Sequence, residues 1–97
     1  MRGAYLVAYD IADPARWRRV YRVLHGHGDP IQLSIFICWL SATEQKLLEE
    51  RLVSILNLKD DRLLFVNIGA RQAMDKSVVQ MGKPRTPLDA PPRWYVV

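Results

Sequence analysis

The stretch over residues 5–24 constrains the fold most, because a buried strand and an amphipathic helix follow each other with almost no linker. Residues 4–11 are nearly all apolar, as is typical of a central strand. Asp13 is a good N-cap and Pro14 a good first helical residue, so a helix is predicted to begin there. Asp10 is therefore predicted to lie where the strand ends, just before a helix.

The predicted helix has one apolar side and one basic side. Its apolar residues follow the i, i+3, i+4, i+7 spacing of a single stripe. They are Trp17, Val20, Tyr21 and Leu24. At about 100° per residue the arginines fall on the opposite side, with Arg16 at the margin. They are Arg16, Arg18, Arg19 and Arg22. The glycines within residues 25–28 are predicted to end the helix in the left-handed cap conformation.

The next segments complete the element order. Residues 31–40, bounded by the Asp29-Pro30 pair, fit either one long strand or a short strand, a tight turn and a longer strand. Residues 41–44 form a capping box, and the helix that they begin is predicted to run to about residue 57. A further strand covers residues 63–68. With two strands in the middle the order is βαββαβ, an α+β, ferredoxin-like sandwich with helices on one face of the sheet.

The C-terminal part differs in kind from the rest. After a ferredoxin-like domain over residues 1–81, residues 82–97 are predicted to form a proline-rich tail. That tail closes on strong β formers at residues 93–97. Helices on one face leave the other face and the edges of the sheet bare. This extra C-terminal strand is therefore predicted to add to the sheet of a partner subunit, in a homodimer.

Charge is concentrated toward the two ends of the chain. The net charge is +4, and residues 1–28 hold five arginines against two aspartates. An acidic partner such as nucleic acid and a merely solvated charged face both stay open as interpretations.

No apolar run approaches the roughly 18 residues of a membrane span, and no signal-peptide pattern is visible, so we expect a cytoplasmic protein without membrane contact. One cysteine, Cys38, can form neither an internal disulfide nor a multi-thiolate metal site, and is interpreted as a small buried hydrophobe.

Asp10 is the candidate catalytic residue. A carboxylate at the end of a central strand lies exposed or binds a cation, and magnesium prefers one or two carboxylates with waters and phosphate oxygens. One aspartate per chain is half of such a site, which a symmetric dimer would complete, with nearby arginines binding the phosphates. The competing interpretation is an aspartate that merely ends the strand or forms a hydrogen bond with the next turn. Asp13 could be a second metal ligand, although its role as an N-cap explains it fully.

Histidines and aromatic residues have structural explanations. His25 and His27 lie between glycines in a predicted turn, and no second cluster completes a metal site. The aromatic residues that could stack on bases fit a core or an interface better. These are Trp17, Tyr21, Trp39, Trp94 and Tyr95.

Several motifs together resemble the CRISPR-associated protein 2 family. They are Tyr9-Asp10-Ile11, Asp13-Pro14, Arg16, Arg18-Arg19-Val20, Arg22, Gly28 and Ile31-Gln32-Leu33-Ser34-Ile35-Phe36. The resemblance implies a ferredoxin-like homodimer whose sheets face each other and whose C-terminal strand joins the neighbouring sheet. It also implies a role in acquiring CRISPR spacers, in which the dimer bridges the CRISPR-associated integrase, of the protein 1 family, on captured DNA.

The same resemblance implies an activity and its residues. Family members are described as Mg²⁺-dependent endonucleases that act on single-stranded RNA or double-stranded DNA, with the first-strand aspartate of each subunit at the metal. Carried over, Asp10 is both the catalytic residue and the Mg²⁺ ligand. The basic helix that binds nucleic acid corresponds to Arg16, Arg18, Arg19 and Arg22. Supporting positions correspond to Asp13, Ser34 and Phe36.

Two departures from the family pattern bear on function. The family commonly has an arginine where this chain has Pro30 and an acid where it has Ile37. Losing a cation and an anion near the expected site weakens the case for hydrolysis more than the case for the fold. The alternative function is a toxin-like or regulatory RNA-binding module without a CRISPR role, because this fold hosts many functions.

Overall fold

The elements of the fold are seen in a computed structural model, which describes residues 1–70, 79, 81 and 82. They are β1 (Gly3–Asp10), α1 (Pro14–His25), β2 (Gly28–Gln32), β3 (Ile35–Leu40), α2 (Ala42–Val53) and β4 (Arg62–Gly69). The predicted α+β, ferredoxin-like βαββαβ order is confirmed. The predicted terminal strand at residues 93–97 lies outside the described residues, and the division of the chain at residue 81 stays a prediction.

Within the described residues the strands form one antiparallel sheet in the order β2-β3-β1-β4. The first strand of the chain is therefore central, with Val7 opposite Phe36 on one side and Phe65 on the other. Edges of this sheet are β2 and β4. In the described part of the chain no helix is long and apolar enough to cross a bilayer.

The two faces of the sheet differ in cover. Both helices pack on one face, where Val20 and Leu24 of α1 and Leu48 and Leu52 of α2 join the main core. Strand residues of that core include Val7, Tyr9, Phe36, Cys38 and Leu40. The other face, called the open face here, carries a smaller cluster of Ala4 and Ile37 with Leu6, Ile31, Trp39 and Ile68. Leu64 and Val66 of β4 share this face by register and are 53% and 46% exposed. Apolar surface on the open face is therefore left unburied by the described residues.

The start of α1 is as predicted, and its end is not. Asp13 caps the helix by accepting a hydrogen bond from the backbone N–H of Arg16 at 2.9 Å. The left-handed glycine cap is wrong, because Gly26 has a φ of −75°. His27 instead donates to the carbonyl of Leu24 at 2.9 Å, which tightens the last turn. Gly28 is needed for space, since a Cβ there would lie 2.0 Å from the carbonyl oxygen of Ile37.

Of the two alternatives for residues 31–40, the structure shows a short strand, a tight turn and a longer strand. The predicted boundary at Asp29-Pro30, before the first of these strands, is wrong, because both residues lie within β2. A proline is tolerated there since β2 is an edge strand, and an edge strand leaves one row of N–H groups without a ladder partner. Residues 33 and 34 form the turn into β3.

The capping box of α2 is confirmed. Glu44 N–H donates to Ser41 Oγ at 3.1 Å, and Ser41 N–H donates to Glu44 Oε1 at 2.9 Å. Extending the helix to about residue 57 is wrong, since α2 ends at Val53. The following turn draws Asn57 away from the helix, because its N–H donates to Asp61 Oδ2 at 2.9 Å.

Candidate functional site

Asp10 is the last residue of β1, and its side chain lies exposed on the open face. Side chains alternate between the faces of a strand, and Ala4 and Leu6 belong to the open-face cluster, so Asp10 shares their side. Among the described residues its carboxylate has no hydrogen-bond or ion-pair partner. This carboxylate is therefore available to a ligand from solvent.

Arg62, the first residue of β4, is the register partner of Asp10. Residues directly opposite in an antiparallel pair share a face, so an acid and a base lie side by side at this end of the open face. The two side chains do not form an ion pair. Sequence reasoning missed Arg62, because only the strand register places it beside Asp10. Its cation attracts phosphate and opposes the binding of a metal ion.

Asp10 offers one carboxylate to a metal ion such as Mg²⁺. In the described part of the chain no group of three His, Cys, Asp or Glu residues could hold a metal ion. Asp13 caps α1 and Asp61 is bonded to Arg16, so neither carboxylate is available as a second metal ligand beside Asp10. One carboxylate is a hard oxygen ligand of the kind that Mg²⁺ accepts, with waters and phosphate oxygens completing the octahedron. The residues thus fit Mg²⁺ as half of a two-carboxylate site.

A groove of about 700 Å³ lies between α2 and β4 and reaches Asp10 and Arg62. Its walls include Leu52 and Leu56 on the helical side and Phe65 on the strand. The groove runs beside an edge strand, whose outer N–H and C=O groups lack a ladder partner within the described sheet. An added strand would find both hydrogen-bonding groups and apolar surface there.

The outward arginines of α1 do not lie on the same face as Asp10. Arg18, Arg19 and Arg22 are exposed, and α1 packs on the face of the sheet opposite to the open face. None of the three forms an ion pair with another described residue. The structure brings these three cations together on one helix, as predicted, but it does not bring them to the Asp10 end of the open face.

Arg16 has a different environment from the other arginines of α1. Its Nε donates to Asp61 Oδ2 at 2.8 Å and its Nη2 donates to Asp61 Oδ1 at 3.2 Å. Backbone N–H groups of Ala12 and Asn57 donate to the same carboxylate at 3.0 and 2.9 Å. These four residues, named the Asp61 junction here, tie the segment after Asp10 to α1 and to the turn before β4. The sequence analysis did not predict the ion pair between Arg16 and Asp61.

The electrostatics of the Asp61 junction fit a fixed ion pair. The Asp61 side chain is fully buried and the Arg16 side chain is 24% exposed. Hydrogen bonds from Arg16, and then from the backbone N–H groups, hold the pKa of Asp61 well below its usual range, although burial opposes this. The same hydrogen bond raises the pKa of Arg16. Arg16 is thus already bonded to a carboxylate and is the least available of the four arginines to a phosphate.

The three supporting positions have structural roles. Asp13 is the N-cap of α1. The carbonyl of Ser34 accepts from the N–H of Tyr9 at 3.1 Å, which anchors the turn between β2 and β3 to β1. Phe36 is fully buried in the main core. These contacts hold the start of α1 and the turn before β3 close to β1.

Packing explains the aromatic residues and the cysteine. Trp17 stacks on Tyr21 with ring centroids 5.1 Å apart, and Tyr21 contacts Phe36 edge to face at 5.2 Å. Trp39 packs against the open-face cluster, whereas Trp94 and Tyr95 lie outside the described residues. Burial, followed by the charge of Asp29, raises the pKa of the Cys38 thiol to about 12, so this cysteine is an unreactive core residue.

Comparison with known proteins identifies the family. Residues 3–76 match the model of the family described as CRISPR associated protein Cas2. The chain belongs to the Cas2 family. This confirms the resemblance found in the first strand, the basic helix and the segment after it.

Members of the Cas2 family resemble this chain over most of its length. The CRISPR-associated endoribonuclease Cas2 1 of Rhodospirillum rubrum is 39% identical over 80 residues, 82% of this chain and 78% of that protein. The CRISPR-associated endoribonuclease Cas2 of Geobacter sulfurreducens is 33% identical over 88 residues, 91% of this chain and 93% of that protein. A crystal structure of Streptococcus pyogenes Cas2 superposes with a TM-score of 0.74 at 28% identity, over 81% of this chain and 99% of that one.

Proposed function

We propose that this chain is a nucleic-acid-binding homodimer of CRISPR spacer acquisition, which bridges the CRISPR-associated integrase on captured DNA. The observation that carries the proposal is the exposed trio Arg18, Arg19 and Arg22, which has no carboxylate partner among the described residues. Three unpaired guanidinium groups on one rigid helix suit the phosphates of a strand. Family membership counts against the alternative of a toxin-like or regulatory RNA-binding module.

The proposal includes endonuclease activity on single-stranded RNA or double-stranded DNA. Relatives from Rhodospirillum rubrum and Geobacter sulfurreducens carry the name endoribonuclease. In this chain Asp10 would hold Mg²⁺, which supplies charge neutralisation and water activation at a phosphodiester. Arg62 beside it would draw a phosphate oxygen to the same end of the open face. The free state of the Asp10 carboxylate supports this role.

A homodimer through the open face would supply the second half of the site. Exposed Leu64 and Val66 on that face, together with the groove beside β4, are apolar surface that a second copy of the chain would bury. Two open faces packed against each other would bring two Asp10 carboxylates into one interface. Residues 93–97 of each copy would add to β4 of the other.

Binding of double-stranded DNA at increasing salt tests the main proposal. If Arg18, Arg19 and Arg22 contact three phosphates, the slope of log K against log salt is about −2.7, a roughly 40-fold loss of affinity between 50 and 200 mM salt. Arg18→Gln should lower the slope by about 0.9, whereas Lys59→Gln, a matched loss of one exposed charge away from α1, should leave it unchanged. A flat salt curve for the wild-type chain would contradict nucleic-acid binding through the helix.

Sedimentation tests the homodimer. Deletion of residues 93–97 should convert the dimer to monomer if strand addition holds it, and Val66→Lys should do so if the open faces pack together. Val66 is 46% exposed in one chain, so the lysine is compatible with a folded monomer. A dimer that survives the deletion contradicts strand addition, and one that survives Val66→Lys contradicts packing of the open faces.

A further inference from the structure

A second pocket, of about 570 Å³, lies between α1 and α2 on the helical side of the protein. Its polar lining residues are Arg19, Arg22, His27, Arg51 and Ser54, and it is named the inter-helix pocket here. Two of its arginines come from α1 and the third comes from α2. The pocket therefore joins part of the basic surface of α1 to residues that lie far away in the sequence.

The charge of the inter-helix pocket is entirely of one sign. None of its lining residues is acidic, and within the described residues none of its three arginines has a carboxylate partner. Arg2 and Arg16, by contrast, both lie in ion pairs, with Glu44 and Asp61 respectively. Like charges gathered in a concave surface repel one another, so the pocket favours an anion that neutralises them.

The attraction of arginines to the C-terminal ends of helices accounts for only part of the clustering of the three arginines in the pocket. Arg22 and Arg51 lie in the last turns of their helices, where a cation stabilises the free carbonyl groups. Arg19 lies in the middle of α1, outside the reach of that effect. Stabilisation of helix ends by cations also does not explain why the last turns of two different helices line the same pocket.

The wall of the pocket at His27 is held in place by the fold. Its backbone N–H donates to the carbonyl of Leu24 at 2.9 Å, and its own carbonyl accepts from the N–H of Trp39 at 3.3 Å. Gly26 beside it lines the pocket and adds no side chain. The imidazole is therefore carried on a fixed backbone next to the guanidinium groups.

We propose that the inter-helix pocket is a phosphate-binding subsite for nucleic acid, in which Arg51 and His27 act together with Arg19 and Arg22. The guanidinium fork matches pairs of phosphate oxygens, and an imidazole N–H adds a further donor. A phosphate-rich strand is favoured over an acidic protein segment because closely spaced phosphates match three guanidinium groups in one concave surface. This inference rests on the proposed binding of nucleic acid and extends the contact surface from α1 to α2. The phosphate belongs either to the backbone of a strand or to its 5′ end.

Arg51→Gln in the full chain tests the subsite, with binding measured by fluorescence anisotropy between 50 and 200 mM salt. We expect a loss of affinity of about tenfold at low salt and a salt slope smaller by about 0.9. Lys46→Gln is the matched control, because it removes one exposed positive charge from the same helix outside the pocket. It should change the affinity less than about twofold. Arg51→Lys keeps the charge without the fork and should recover part of the loss. Thermal melting without DNA checks that each variant is folded.

The nucleic acid used in each arm separates the two phosphate sources. The probes are oligonucleotides with a 5′-phosphate, the same oligonucleotides with a 5′-hydroxyl, and polyglutamate. An equal loss on both oligonucleotides assigns the subsite to the backbone, and a loss confined to the phosphorylated one assigns it to the strand end.

Three results would overturn the subsite. The first is a loss of affinity in Arg51→Gln that is no larger than the loss in Lys46→Gln. The second is an Arg51→Gln variant that binds the oligonucleotides as tightly as the wild-type chain does. The third is an Arg51→Gln variant that binds polyglutamate more weakly but both oligonucleotides as before. A wild-type chain that binds no nucleic acid would instead remove the proposed function and this inference together.

Discussion

Asp10 at the end of β1 and the outward arginines of α1 lie on opposite sides of the sheet. Asp10 lies on the open face beside Arg62. Arg18, Arg19 and Arg22 lie on α1, across the sheet, and none of them forms an ion pair with another described residue. Asp10 and Arg18 are close in sequence, yet strand alternation places the acid on the open face and core packing places the helix on the other. Closeness along the chain therefore does not make one composite site, and we expect binding and hydrolysis to be separable.

The largest effect is expected from Asp10→Asn, which keeps the shape of the side chain and removes its charge. Cleavage of nucleic acid with Mg²⁺ should fall by at least about 100-fold, because the amide is a poor metal ligand. DNA affinity should change less than about twofold, since no described arginine is paired with this carboxylate. The measurements are initial cleavage rates and a binding curve on the same preparation.

A matched control for Asp10→Asn is Asp29→Asn, which neutralises another exposed acid at the far edge of the sheet. It should leave cleavage unchanged. If Asp10→Asn leaves cleavage intact, the catalytic assignment is wrong. If it changes binding as strongly as cleavage, the two faces are not independent.

A smaller effect, on stability, is expected from the Asp61 junction, which connects the two regions. Asp61→Asn replaces a buried carboxylate that accepts four hydrogen bonds by an amide that offers one acceptor oxygen and two unwanted donors. We expect the Tm to fall by more than about 10 °C, measured by thermal unfolding at pH 7.

The depressed pKa of Asp61 also sets a pH dependence. A carboxyl whose pKa is lowered by folding stabilises the native state above its unfolded pKa, and this stability is lost as the pH falls below the usual range of aspartate. The fall in stability on acidification over that pH range should be smaller in Asp61→Asn than in the wild-type chain.

The double variant Asp61→Asn with Arg16→Gln should be destabilised by less than the sum of the two single variants. Additive effects would show that the pair is not coupled.

How far the sequence predicted this molecule depends on the range of each interaction. Asp13 and the Ser41–Glu44 capping box are local, and both were predicted, as was the place of Asp10 at a strand end. The Arg16–Asp61 pair spans 45 residues, and Arg51 meets the basic helix only through the docking of α2, so no spacing rule indicates either. The wrong boundary at Pro30 has the same cause, because only the strand order shows that β2 is an edge.

The smallest effect is expected from the ion pair between Arg2 and Glu44, the exposed counterpart of the Asp61 junction. Arg2 Nε lies 2.8 Å from Glu44 Oε1, and the two side chains are 65% and 34% exposed. The hydrogen bond from Arg2, followed by that from the Ser41 backbone, lowers the pKa of Glu44 from 4.5 to about 2. This pair therefore stabilises the fold above pH 4.5 and loses that contribution as the pH falls toward 2.

Arg2→Gln removes this ion pair and leaves the capping box in place. It should lower the Tm by no more than a few degrees at neutral pH, and the difference from wild type should nearly vanish in about 1 M salt, because exposed pairs are screened. The effect of Asp61→Asn should persist in the same salt, since its carboxylate is buried. Thermal unfolding of both variants at low and high salt measures the contrast. Equal salt sensitivity in the two would contradict the distinction between an exposed pair and a buried junction, because screening acts only where ions reach the charges.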